Sequence, residues 1–487
     1  MSGLPVPGWA QRLAEDLGAG PHVVVTGIST SGHIHVGNLR EVLVGEAVAN
    51  ALRARGEEVR FVFHADTIDP LRKIAPGIPE SFEGFMGHSL SRVPDPEGCH
   101  PSYAEHFLAP LEEALLEMEM DIEVLRSHEL YENGVYTEVT REALEHTEEL
   151  REILQEVTGR RMPEHWSPYL PRDASGRLTG HRILEHVFEE HRVVFEKKEG
   201  FEEAADYSKG EGKLGWRVEL AARWKALGIT FEPFGKDHTS RGGSTDTADR
   251  MAREVFRYPV PGRYEYEWIG IKGRGDMSSS RGIVLLPKDL LEIMPPDALR
   301  WMVLGRDPTR RSDLELESGF PRFMDEYHVE RGEPFVPFTH LVTVAQTVGN
   351  DADAGAEMLR RGGYEEAAED REKLARDLAY ASNWAGEWAP ESMRLRLLTE
   401  EEAREAAEGL DDDQREYLAA VAENLSAEMG GDEVQDLLYS AAVERGFKPK
   451  KAFTAVYAVL LGRKSGPKAG PFVAGLPVEM VRERFSV

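Results

Sequence analysis

One cysteine, Cys99, is the only thiol in 487 residues. That excludes an intramolecular disulfide and any metal site built on several thiolates. Positive charge is scarce as well. Fifty-eight Lys and Arg face 87 Asp and Glu, a formal charge of −29. Net charge therefore cannot draw the chain to nucleic acid or an anionic membrane, and any such contact needs a local basic patch. Long apolar runs are missing, since charge interrupts each short one, so no segment is expected to span a bilayer. Residues 1–20 lack the basic-then-apolar order of a signal peptide. Aromatics reach only 8%, yet 41% of residues are apolar, enough to exclude global disorder. The length calls for two to four domains. These limits describe a cytoplasmic, multidomain protein, expected to be a monomer.

The strongest local pattern lies near the start. His22–Thr26 is a β-branched strand running into the turn Gly27–Gly32, and Asn38–Arg55 carries apolar residues at helical spacing. Gly56 ends that helix and Val59–His64 is the next strand. Strand, glycine turn, helix and strand make a βαβ unit, so the fold class is α/β with a Rossmann-like parallel sheet. Its ligands should gather beyond the strand ends, where Gly27–Asn38 and His64–Asp69 fall. The expected division is a first half of the sheet domain over 1–93, an inserted α-rich subdomain over 94–210, and the second half over 211–305. A connector over 306–330 then leads to an α-helical bundle over 331–487. Tyr103–Met118 and Thr137–Thr158 read as helices, Val194–Gly212 as a charged hairpin or loop, and Tyr264–Lys272 as a strand. In the bundle, Tyr364–Trp388, Thr399–Glu408, Asp412–Met429, Asp432–Arg445, Lys450–Leu461 and Pro477–Arg484 are the expected helices.

Gly27-Ile28-Ser29-Thr30-Ser31-Gly32-His33-Ile34-His35-Val36-Gly37-Asn38 is the densest cluster of chemistry. Gly27 and Gly32 permit sharp turns, and Gly37 keeps the helix mouth open for a stacked ring. The helix start offers N–H groups to phosphate, His35 can donate to phosphate oxygens, and Asn38 adds an uncharged amide. No Walker sequence is present. A second loop, Lys272-Gly273-Arg274-Gly275-Asp276-Met277-Ser278-Ser279-Ser280-Arg281-Gly282, follows a strand. Its cations and serines suit a segment that closes on a triphosphate and favours the transition state.

His35-Val36-Gly37-Asn38 resembles the HIGH signature of class I aminoacyl-tRNA synthetases, and the second loop resembles their KMSKS segment in an MSSS form. Asp69-Pro70-Leu71-Arg72-Lys73, Asp95-Pro96-Glu97-Gly98-Cys99-His100, Trp216-Arg217-Val218 and Phe234-Gly235-Lys236-Asp237-His238 extend the likeness, in order, to the class I lysyl-tRNA synthetases. The resemblance implies ATP with Mg2+, L-lysine and lysine tRNA as reactants. It assigns catalysis to His35, Asn38, Lys272, Arg274, Ser278, Ser279 and Arg281. ATP falls to Ser31, Gly32, His35, Gly37, Asn38, Asp237, Met277 and Ser280. Lysine falls to Gly27, Ser29, Trp216, His238 and Tyr266; from residue chemistry rather than the resemblance, Glu41 is the candidate carboxylate for the ammonium group and Asp66, at the end of the second strand, the candidate to order the α-amino group or ribose. Asp276 and Ser279 stand where the signature has lysines. The insertion lacks the family's cysteine pairs over Tyr169–Leu178, so no structural zinc and no metal ligands are expected. The bundle is expected to bind the anticodon region. Glu444–Arg484 holds nine Lys or Arg against three Glu, a local +6, and Lys448, Lys450, Lys451, Arg463, Lys464 and Lys468 are its tRNA-binding candidates. A tRNA-binding protein without effective aminoacylation, or a paralogue with another acceptor, would satisfy the same sequence.

Overall fold

The computed structural model describes residues 6–277 and 284–486. The chain divides into two compact units. One comprises Met1–Leu291 with Leu299–Leu314, the other Glu292–Ala298 with Glu315–Val487.

The first unit is built on a five-stranded parallel sheet. Its strand order is Gly262–Tyr266, Phe231–Gly235, β1 (His22–Ser29), β2 (Val59–Asp66) and β3 (Glu123–Arg126). Both faces of β1 and β2 are covered, which explains their nearly continuous apolar runs. Parallel register places Gly27 opposite His64 and Ser29 opposite Asp66, so both strands deliver polar groups to one rim. After α1 (Gly8–Leu17), α2 (Val36–Ala54) is the crossover between β1 and β2. A Cβ on Gly45 would stand 2.7 Å from Thr26 and 2.9 Å from Phe61, so glycine is what lets α2 lie flat against the sheet.

Two features depart from the expected elements. Tyr264–Lys272 is two strands. Gly262–Tyr266 completes the parallel sheet, whereas Ile269–Ile271 pairs with Gly275–Asp276 and Ser312–Leu314 in a separate small sheet. Buried Arg40 of α2 holds this junction, donating to the Glu267 carbonyl at 2.6 Å and to Ser312 Oγ at 3.0 Å. Thr137–Thr158 is two helices, Thr137–Glu145 and Thr147–Thr158, broken at His146 (φ −105°, ψ 27°). The insertion also carries more strand than expected. Arg182–Val187, Arg192–Glu196 and Glu202–Asp206 form an antiparallel meander, and Tyr169–Pro171 pairs with Gly212–Leu214. Its apolar side chains Tyr131, Val139, Leu150 and Ile153 share one core with Val25 and Val62 of the central sheet.

The second unit is helical. Thr399 and Asp411 cap the helices that follow them, accepting from the backbone N–H of Glu402 and Gln414, and the acidic residues after each cap, Glu400–Glu402 and Asp412–Asp413, fall in the first turn, where the helix dipole favours them. The expected Tyr364–Trp388 helix begins only at Arg371, because the Asp370 carboxylate accepts from Lys373 N–H and sets the N-terminus. No helix among the described residues is long and apolar enough to cross a membrane.

Candidate active site and metal centre

The C-terminal ends of β1, β2 and Phe231–Gly235 enclose a cavity of about 560 Å³, the place where open parallel sheets bind ligands. All the residues expected at lysine line it: Gly27, Ser29, Glu41, Asp66, Trp216, His238 and Tyr266. So do His35, Gly37, Asn38, Asp237 and Met277 from the ATP set. Ser31 lines a smaller adjoining cavity instead. Gly32 is buried and lines neither. Lys272 and Arg274 sit exposed on the turn before Gly275–Asp276 and are not part of the wall. Ser278, Ser279, Ser280 and Arg281 lie outside the described residues. Arg72 and Trp268 also line the cavity, although sequence reasoning gave neither a role. Trp268 is 42% exposed, with Lys236 Nζ 4.8 Å over its ring, and no sequence signal distinguished it from a core tryptophan.

Glu41 is the centre of the wall. Its Oε1 accepts from Gly27 N–H at 2.8 Å and its Oε2 from Tyr266 OH at 2.6 Å. Desolvation outweighs both hydrogen bonds and pushes the carboxyl up from 4.5 to about 7. Such a group gains from a cation placed beside it. Asp66 behaves oppositely. Burial alone would raise its pKa, but His64, Lys213 and Arg223 together hold it below the ordinary range, so it stays ionised. Asp69 is fixed by buried Lys213, which also reaches Glu219, and Tyr131 OH donates to Glu219 at 3.0 Å. Arg223 lies 5.8 Å from the Trp216 ring and 3.1 Å from His64 Nδ1, and it pairs with Glu232. This buried charged layer fixes the floor beneath Trp216 and Asp66.

The first turn is set by local chemistry. His35 precedes α2, and its N–H donates to Asn38 Oδ1 at 3.2 Å, leaving the Asn38 NH2 for a ligand. Burial lowers His35 from 6.5 to about 4, so its imidazole is neutral at pH 7. Its Nδ1 is buried with no hydrogen-bond partner among the described residues. The space beside Gly37 is filled differently from the sequence expectation. A Cβ there would meet the His35 ring at 2.9 Å, so the glycine accommodates the histidine first and any nucleobase second.

A second constellation was missed. Asp95, Cys99, His100 and His106 place one ligand atom each within 4.8 Å of one another. Cys99 Sγ is 2.9 Å from His100 Nδ1 and 3.6 Å from His106 Nδ1. Asp95 oxygens lie 3.1 Å from His106 Nδ1 and 3.5 Å from His100 Nδ1. Ligand atoms around a tetrahedral zinc stand about 3.3–3.8 Å apart, so one thiolate, two imidazoles and a carboxylate fit it. The expectation of no metal ligands rested on cysteine number and on the stretch Tyr169–Leu178 alone. The Asp-x3-Cys-His-x5-His spacing was the available signal. Where cysteine pairs were sought, hydrogen bonds do the work: Asp173 Oδ1 accepts from Ser175 N–H, Ser175 OH and Arg177 N–H at 2.6–3.0 Å.

The six basic residues of the helical unit do not form one free patch. Lys451 pairs with Asp411 and Asp413, Arg463 with Glu391, and Lys468 with Asp432. Lys448, Lys450 and Lys464 form no ion pair among the described residues.

A sequence profile described as tRNA synthetases class I (K) matches residues 8–345. The lysine–tRNA ligase of Archaeoglobus fulgidus is 39% identical, covering 98% of this chain and 99% of its own. Lysine–tRNA ligase 1 of Methanosarcina acetivorans is 35% identical over 98% of this chain and 97% of its own. The lysine–tRNA ligase of Methanocaldococcus jannaschii is also 35% identical, over 98% of each chain. The chain belongs to the class I tRNA synthetases of this (K) family.

Proposed function

We propose that the chain activates L-lysine with ATP and transfers it to the 3′ end of lysine tRNA. The observation that carries this reading is Glu41. It is a desolvated carboxylate with a pKa near 7 in a cavity whose other walls are Trp216, Tyr266 and the first turn. Lysine's ammonium group would ionise Glu41 fully, and Trp216 would cover the aliphatic stem. Ser29, Asp66 and His238 hold the α-amino end, while His35, Gly37, Asn38, Asp237 and Met277 receive the nucleotide.

In the first step a carboxylate oxygen of lysine attacks the α-phosphorus of magnesium-bound ATP. The bond to the bridging oxygen breaks and pyrophosphate leaves. In the second, a hydroxyl oxygen of the tRNA's terminal ribose attacks the acyl carbon, AMP leaves, and the hydroxyl proton passes to a phosphate oxygen or solvent. No side chain becomes covalently attached; the protein positions and neutralises. His35, neutral, donates hydrogen bonds without changing charge. The helical unit takes the anticodon region, with Lys448, Lys450 and Lys464 as the cations left for phosphate. No observation favours a tRNA binder without activity.

Lysine-dependent ATP–pyrophosphate exchange, run with each standard amino acid and with and without tRNA, tests the reading. Lysine alone is expected to support exchange and to be esterified to its tRNA. Exchange with a different amino acid, or silence from folded protein in both conditions, rejects it.

Asp95, Cys99, His100 and His106 hold a structural zinc in this reading. About one zinc per chain is expected in unchelated protein, with chelation lowering Tm and Cys99→Ser losing the ion. Metal-free protein of unchanged Tm would remove the assignment.

A further inference from the structure

Residues 30–35 join β1 to α2 as neither helix nor strand. Among the described residues, Ser31, Gly32 and Ile34 make no backbone–backbone hydrogen bond, so this part of the first turn takes its shape from outside. Its supports are two buried rings of α3 (Tyr103–Glu117). Tyr103 OH donates to the Ser31 carbonyl at 3.3 Å, and the Phe107 ring lies 4.9 Å from the His33 ring, nearly perpendicular at 85°. One helical turn separates Tyr103 from Phe107, which brings their rings to 4.7 Å.

Phe107 has a second neighbour of the same kind. The His106 ring stands 4.9 Å from it at 84°, and His106 is one of the four candidate ligands. Asp95, Cys99 and His100 come from the loop before α3, which wraps on the Asp95 carboxylate: Glu97 N–H donates to it at 2.8 Å, and His100 N–H donates as well. An ion held by these four groups therefore staples that loop to the first turn of α3. Tyr103 and Phe107 also pack with Leu71, Ala75 and Phe82. That cluster keeps α3 in place without the ion and leaves its first turn as the part the ion orders.

We infer that Tyr103 and Phe107 are positioning residues for the nucleotide, through which the bound metal ion holds the first turn and sets the affinity for ATP. This coupling rests on the zinc and ligase readings above and gives the cluster a part in the reaction. His35, Gly37 and Asn38 follow the supported segment directly and line the main cavity, so movement at Ser31 and His33 reaches them first. The lysine wall is held otherwise: Glu41 by Gly27 N–H and Tyr266 OH, and Trp216 against buried Arg223. A loosened α3 is thus expressed in ATP and not in lysine.

Tyr103→Phe, Phe107→Leu and Cys99→Ser in the full-length chain are compared with the parent before and after chelation, each returned to excess Mg2+. The readouts are zinc content, Tm, the ATP dissociation constant, and KM for ATP and lysine in pyrophosphate exchange with tRNA present. Chelated parent and Cys99→Ser should bind ATP about 5- to 30-fold more weakly, with KM for lysine within about twofold, the span of an ordinary coupling between sites. Added zinc should restore the parent and not Cys99→Ser. Tyr103→Phe and Phe107→Leu should show the same loss while keeping zinc. Chelation of Phe107→Leu should weaken ATP little further, because both changes cut one route. Additive losses would show two independent routes and overturn the inference, as would unchanged ATP affinity in zinc-free parent. A rise in KM for lysine equal to that for ATP, with a lowered Tm, would mean general loosening and overturn it as well. Parent that holds no zinc rejects the ion, which metal content shows without kinetics. Parent that binds ATP but fails to exchange with lysine puts the ligase reading at fault, and the ATP dissociation constants still decide the coupling.

Discussion

Glu41→Gln raises KM for lysine on the order of 100-fold, as loss of one charge from an enclosed pair does, and leaves KM for ATP near its original value. The substitution keeps the shape of the wall: the amide oxygen still accepts from Gly27 N–H, while the NH2 in place of Oε2 can only donate to the Tyr266 hydroxyl, which has to turn its own proton away. A pH dependence accompanies it. Desolvation lifts Glu41 from 4.5 to about 7 in the folded chain. Between those values the folded state keeps a proton that the unfolded state has released, so stability falls as pH rises through that window. The ionised carboxylate then costs about 3 kcal/mol above pH 7 in the absence of lysine. Glu41→Gln removes that slope, and the variant is more stable than the parent at pH 8 while binding lysine more weakly. Damage to the fold would move both quantities together. Thermal unfolding from pH 5 to 8, with and without lysine, measures the pair of effects. Parallel slopes for parent and variant would show that Glu41 is ionised without its ligand.

His35→Ala lowers kcat for lysine-dependent pyrophosphate exchange on the order of 100- to 1000-fold, the scale of losing one transition-state hydrogen-bond donor. KM for lysine changes little, since Glu41 and Trp216 are untouched. Burial holds His35 at about 4, so its imidazole is a neutral donor throughout the physiological range. The pH–rate profile of the parent should contain no histidine step from this position between pH 5 and 8, and His35→Asn, which keeps an N–H, should recover part of the rate. A limb near pH 6 that disappears in His35→Asn would make the residue a cation in the reaction.

Much of the sheet unit was legible because β1, the glycine turn, α2 and β2 obey strong local periods. What escaped was decided by distant partners. Tyr264–Lys272 looks like one strand because its alternation hardly changes where Arg40, more than 200 residues earlier, pins Glu267 and lets Ile269–Ile271 join another sheet. The break at Asp370 is a capping choice that an apolar pattern does not register. At the candidate site, the residues expected at lysine share one cavity with His35, Gly37, Asn38, Asp237 and Met277, while Arg72, present in the sequence only as one member of Asp69–Lys73, is set on the same wall by the fold. The basic segment misled in the opposite way. Its six basic residues are plain in the sequence, but Asp411, Asp413, Glu391 and Asp432, which pair with three of them, come from far along the chain.

The scarcity of thiol has a practical consequence. Cys99 is exposed and stands alone in the chain, within reach of two imidazoles and a carboxylate. Any sulfhydryl-directed dye must therefore land at that one cluster, giving homogeneous single-position labelling without mutagenesis. Because a coordinated sulfur is shielded from alkylation, the rate of that labelling becomes a direct gauge of occupancy. The cluster leads into α3 (Tyr103–Glu117), whose first residue bonds the Ser31 carbonyl. A fluorophore at Cys99 would accordingly report, from one fixed vantage point, on events at the first turn.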